Sequence, residues 1–75
     1  MARTFQLRNQ VVGQTAREIP LQHGQVLPAN SPVVLVCADV EYKVQVKGDT
    51  QFRPMTDFRF SARQNALLRT QIAQA

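Results

Sequence analysis

Tryptophan is missing from this 75-residue chain, cysteine and histidine occur once each, and glycine occurs three times. Each scarcity closes a route. One cysteine, Cys37, permits no internal disulfide. One cysteine and one histidine, His23, give no zinc-ligand spacing. No metal and no cofactor is therefore expected. The longest apolar run is Val33 to Ala38, far short of the roughly 20 residues of a membrane helix. The opening "MARTFQLRNQ" carries charge with no apolar stretch behind it, so no secretory signal is expected. These features describe a soluble protein made in a cytoplasm, with no membrane role, and a lone thiol suits that compartment. Particle incorporation after synthesis stays open.

Acids are also scarce. Five stand against nine Lys and Arg, giving a net charge of +4 and a pI near 10.3. Seven of the nine cations are arginine, which suits phosphate, carboxylate and protein interfaces better than lysine does. Hydrophobic residues make up 44% of the chain, but eight of them are alanines, which bury little. A single domain, residues 1–75, is all such a length supports. Domains this small usually gain a disulfide, a metal or a partner subunit. With the first two excluded, a partner surface is the expected aid.

What is present reads as β structure followed by one helix. "VEYKVQVKG", Val40 to Gly48, alternates Val40, Tyr42, Val44 and Val46 against Glu41, Lys43, Gln45 and Lys47, the pattern of a half-buried strand. "VVLVCA", Val33 to Ala38, is apolar at every position and β-branched, so it reads as a central strand covered on both faces, with Cys37 in the core. Ala38-Asp39 is a reversal between the two, unless one bent strand runs from Val33 to Val46. Residues 4–12 are a strand or an extended N-terminal arm, with the arm drawn over residues 1–13. Residues 17–22 place Arg17, Ile19 and Leu21 on one side, and Pro20 restricts them to an edge. "HGQVLPANSP" reads as an irregular loop with His23 solvated. Gly48-Asp49 is a hairpin turn into "TQFR", which Pro54 ends. "DFRF" is a further short strand, with Phe58 and Phe60 on one face and Arg59 on the other.

The last segment, residues 61–75, changes period. "SARQNALLRTQIAQA" has no Gly or Pro. Ser61 and Gln64 match a capping box, and Leu68, Ile72 and Ala75 make a stripe with Asn65, widened by Leu67. A helix is expected from about residue 62 to about residue 73. It has no acid for i,i+4 pairing, and Arg63 lies at the positive end of its dipole, so it must dock on something. The expected fold class is α+β: a small antiparallel β-sheet or partly open barrel followed by one C-terminal α-helix. The expected core is Val34, Leu35, Val36, Tyr42, Val44, Val46, Phe52, Leu68 and Ile72.

No residue set points to catalysis. Asp39 and Glu41 share a strand face but belong to no motif, and there is no phosphate-cradling glycine loop. An enzyme acting on a small molecule is not expected. One concentration remains: Arg53, Arg59, Arg63 and Arg69, interleaved with Phe52, Phe58 and Phe60. Single-stranded nucleic-acid binders use such a mixture, yet a chain this small needs its phenylalanines inside. These four arginines are candidate contacts to a partner protein or nucleic acid. Phe5, Leu7, Leu67 and Ile72 are candidate contacts between copies.

Three functional classes follow in order. The first is a structural subunit of a homo-oligomeric or virion-like assembly, comparable in general character to small accessory proteins of bacteriophage particles. The second is a small basic nucleic-acid-binding regulator. The third is an inhibitor-like module that binds one protein target.

Overall fold

In the computed structural model, which describes residues 3–21 and 24–75, the longest strand is β1, Thr4–Thr15. The short strands β2 (Ile19–Pro20) and β3 (Val26–Leu27) pair antiparallel with each other. After them come β4 (Pro32–Asp39), β5 (Lys43–Val46), β6 (Arg53–Pro54) and β7 (Phe58–Arg59). The main sheet runs β6-β5-β4-β1-β7, antiparallel throughout. Its two edge strands, β6 and β7, are joined by a single 3₁₀ turn, Met55–Asp57. Stretched fully, that link spans about 14 Å. Five flat strands measure about 19 Å across. The sheet must therefore curl until its edges approach. The result is α+β: a nearly closed antiparallel sheet, then helix α1, Ala62–Ala73.

Residues 4–12 are thus a strand inside the sheet rather than an arm. Other boundaries move as well. The reversal after β4 lies at residues 40–42, later than Ala38-Asp39, and Val40 and Tyr42 are exposed. The cause is Asp39. Its buried Oδ1 accepts from the amides of Glu41 and Lys43, at 2.9 and 3.0 Å, which folds the chain into an Asx turn. Tyr42 adopts φ 63°, outside the strand region. The strand expected from Val40 therefore begins at Lys43. Beyond it, Gly48 takes φ 90° as the hairpin requires, but "TQFR" contributes only Arg53 to β6, because the buried Asp49 holds the connection in a wider loop. Part of the expected irregular loop is β3. His23 lies outside the described residues.

The core is Val11, Ile19, Val33, Leu35, Ala38, Val44, Val46, Phe58, Leu68 and Ile72. Leu35, Val44, Val46, Leu68 and Ile72 were expected there. Val34, Val36 and Phe52 are half-buried instead, and so is Cys37. β4 is covered on one face, since Val33, Leu35 and Ala38 point inward and the residues between them do not. A bulge at Val36 shifts the β4–β5 register between Leu35↔Val46 and Cys37↔Gln45, and this turns Cys37 to the outer face.

Helix α1, which the sequence required to dock on something, docks chiefly on β1. Leu68 and Ile72 enter the core. Two glutamines seven residues apart complete the contact. Gln64 Oε1 accepts from the Val12 amide at 3.0 Å. The buried Gln71 binds Asn9 twice: Oε1 accepts from its amide at 3.1 Å and Nε2 donates to its carbonyl at 3.0 Å. Seven helical residues rise about 10.5 Å, and three strand residues about 10 Å, so the spacings match. Asn9 falls in a large bulge of β1 between Gln6↔Cys37 and Val11↔Leu35, where the ladder to β4 is interrupted. The amide of Gln71 replaces the missing strand partner. The capping box is correspondingly half made: Ser61 Oγ accepts from the Gln64 amide at 3.2 Å, while the Gln64 side chain reaches β1.

Two stability predictions follow from these contacts. Gln71→Leu leaves two Asn9 backbone groups unpaired and should cost about 1–3 kcal/mol in chemical denaturation. Gln64→Leu, at a site that water reaches, should cost under about 1 kcal/mol. At Gly13, an added Cβ would meet the Phe60 ring at 2.6 Å and the Arg59 carbonyl at 2.8 Å. The ring can yield but the backbone cannot, so Gly13→Ala should lose about 1–3 kcal/mol. A neutral or stabilising result would show that β7 moves freely.

Candidate interaction surface

The four candidate arginines do not form one patch. Arg53 faces inward on β6, opposite Val44. Its Nε donates to Asp49 Oδ2 at 2.9 Å and its Nη2 to the Pro20 carbonyl at 2.7 Å. Its side chain is 12% exposed. It is a strut between the 47–52 connection and β2, and it is not available to a partner. Arg69 donates to Asn65 Oδ1 at 3.3 Å, and its guanidinium lies 5.4 Å from the Tyr42 ring centre. Arg59 and Arg63 are exposed, near the start of α1. Arg59 lines a shallow groove of about 620 Å³ with Val12, Gln14, Phe60 and Gln64.

The phenylalanines turn the other way. Phe58 is buried; Phe60 lies half-buried beside it, ring centres 6.3 Å apart; Phe52 is half-buried. None lies open as a platform for a base. Of the candidate contacts between copies, Ile72 sits in the core of its own chain and is withdrawn from the surface. Phe5, Leu7 and Leu67 are half-buried, each with one side against the core.

The surface that sequence reasoning missed is the outer face of β1 and β4. Val12 stands directly opposite Val34 and is 49% exposed. Val36 and Cys37 lie beside them, half-buried. Gln6, Gln14, Gln45 and Arg59 share the face, because each is paired opposite an outward residue. The signal was in the sequence: an unbroken apolar run implies cover on two faces, and the described residues provide cover for one.

The acids are engaged elsewhere. The two ion pairs among the described residues are Arg53–Asp49 and Arg17–Asp57, the latter bidentate at 3.1 and 3.2 Å. Asp39 is committed to its turn. Among the described residues no three His, Cys, Asp or Glu gather as a metal site, and no helix is long and apolar enough to cross a membrane. No protein-family model, curated protein or solved structure matches this chain.

Burial pushes the Asp49 carboxyl up, the largest single influence, but the hydrogen bond and charge of Arg53 and the amides of Gln51 and Thr50 together outweigh it. The group stays below the ordinary aspartate value. A depressed native pKa contributes stability that is complete above the unfolded value of about 3.9 and is lost as pH falls through the native one. Wild-type stability should therefore fall in acid, and Asp49→Asn should flatten that fall below about pH 4. Denaturant titrations from pH 2 to 6 measure both slopes, and identical slopes would contradict the assignment.

Proposed function

We propose that this chain is a non-enzymatic structural protein, a small subunit of a homo-oligomeric or virion-like assembly. The observation that carries the reading is β4, apolar on both faces and covered by the described residues on one, with the exposed Val12 of β1 beside its open side. Antiparallel sheets that face water on one side normally alternate apolar and polar residues cleanly. Here Val12, Val34 and Val36 break the alternation on the open side. Glutamines flank the valines, and an amide both donates and accepts, so such a face can bond to its own like. A neighbouring copy is the occupant this chemistry suits.

A nucleic acid is less well served. Its phosphates would find Arg59 and Arg63, but its bases would find valine and glutamine where stacking rings are needed. Salt separates the two readings. A chain of charge +4 repels its copies, so salt should leave self-association unchanged or strengthen it. Nucleic-acid binding falls steeply with salt. Light scattering after size exclusion, at about 50 mM and 1 M salt with absorbance at 260 nm, should show one defined oligomer, free of nucleic acid, at both. Co-eluting nucleic acid that salt strips, with weaker binding by Arg59→Ala and Arg63→Ala, would favour the regulator instead.

A further inference from the structure

Among the described residues, nothing pairs with one end of β1 along one edge. On one side the strand pairs with β4. On the other it meets β7 at Gln14 and Thr15, Gln64 at Val12 and Gln71 at Asn9. Helix α1 runs antiparallel to the strand along that edge, and its rise brings Ala75 only about as far as Leu7. From Thr4 to Gln6 the end of the helix stands off the strand across a cavity. The edge there opens onto this cavity of about 230 Å³, which lies between Arg3 and the Phe5, Gln6 and Arg8 of β1 on one side and Gln71, Gln74 and Ala75 at the end of the helix on the other.

The ladder fixes which peptide groups face outward. The Val40 amide donates to the Arg3 carbonyl at 3.3 Å, in register with Thr4↔Asp39 and Phe5↔Ala38. Arg3 therefore directs its backbone toward β4, and by alternation so does Phe5. Thr4 and Gln6 direct theirs to the open edge. An edge with aligned, unpaired donors and acceptors is a template for another strand.

We infer that a second copy of this chain adds its own β1 here, antiparallel, about a two-fold axis at Phe5. The inference rests on the self-assembly reading above and names its contact. In this register the Thr4 and Gln6 of one copy exchange backbone hydrogen bonds with the Gln6 and Thr4 of the other. The two Phe5 rings meet across a non-hydrogen-bonded pair, where side chains approach closest. Each ring already rests on its own core, so the pair extends that core across the axis. Arg3 falls opposite Leu7, so no two like charges are opposed. Because the axis is two-fold, every contact off it, such as Thr4 with Gln6, occurs twice.

Two measurements test this. Gln6→Pro removes an outward amide and leaves the β4-facing amide of Phe5 in place, so association should weaken about tenfold or more by sedimentation velocity. The second does not depend on that variant folding. In a Cys37→Ser background, a nitroxide on Gln6→Cys lies on an exposed outer position, roughly 7–8 Å diagonally from its copy. Its continuous-wave spectrum should show dipolar broadening that vanishes on mixing with unlabelled protein. If the wild type forms an oligomer but the label stays sharp and Gln6→Pro has no effect, edge pairing is overturned and the assembly reading survives. A wild type that remains monomeric at millimolar concentration overturns both.

Discussion

The three residues Met55–Asp57 are the constraint on which the barrel depends. They join strands at opposite edges of the sheet, and no extended sheet is compatible with so short a link. Everything about Asp57 ties that link down. Its carbonyl accepts from the Ala16 amide at 2.8 Å, and its carboxylate holds Arg17 through two bonds. Arg17 is largely exposed, so the ion pair adds little net energy; its contribution is to fix the link against the end of β1. Nearby, the buried Thr15 hydroxyl donates to the Pro28 carbonyl and accepts from the Ser31 amide, anchoring the loop before β4.

Curling has a cost, and the bulges show where it falls. β1 carries extra residues between Gln6 and Val11, and β4 carries one at Val36. Each bulge turns peptide groups away from the ladder, and a buried orphan costs about 1–3 kcal/mol. Side-chain amides make up the deficit. Gln71 acts on Asn9 as a strand would, and among the described residues no buried side-chain nitrogen or oxygen lacks a partner. The same bonds locate a helix whose own sequence is too weak to stand alone. Helix and sheet are thus coupled by two glutamines as much as by Leu68 and Ile72.

The sequence carried the class of fold because that class depends on period. The helix span, the Phe58–Arg59 strand and Pro20 at an edge all follow from local pattern and turn chemistry. What was illegible depended on side chains acting as backbone. Nothing in "EYKV" says that Asp39 will draw the amides of Glu41 and Lys43 into a turn and expel Tyr42. Nothing in "SARQ" says that Gln64 will desert its capping box for Val12. The arginine segment misled for a related reason: Arg53 and Asp49, four apart, read as surface charges until the connection folds back and buries them together. For the outer face, the apolar run was visible and its missing cover was not, since cover is a property of the whole chain.

Two kinds of surface then remain, and they have different consequences. An open strand edge invites unlimited addition, which proteins usually prevent with charge or proline. Arg3 and Arg8 bracket this one, and the two-fold contact inferred above would use both edges up, so that pairing would close on itself. The valine face of β1 and β4 has no such closure. With Asp39, Asp49 and Asp57 engaged inside the chain, Glu18 and Glu41 are left to offset the surface cations. In the proposed assembly, long-range repulsion between copies would be overcome only at close contact, where Val12, Val34 and Val36 met matching apolar surface. An edge that pairs once, together with a face that holds only on close fit, is what the proposed building block would need to add copies in fixed geometry.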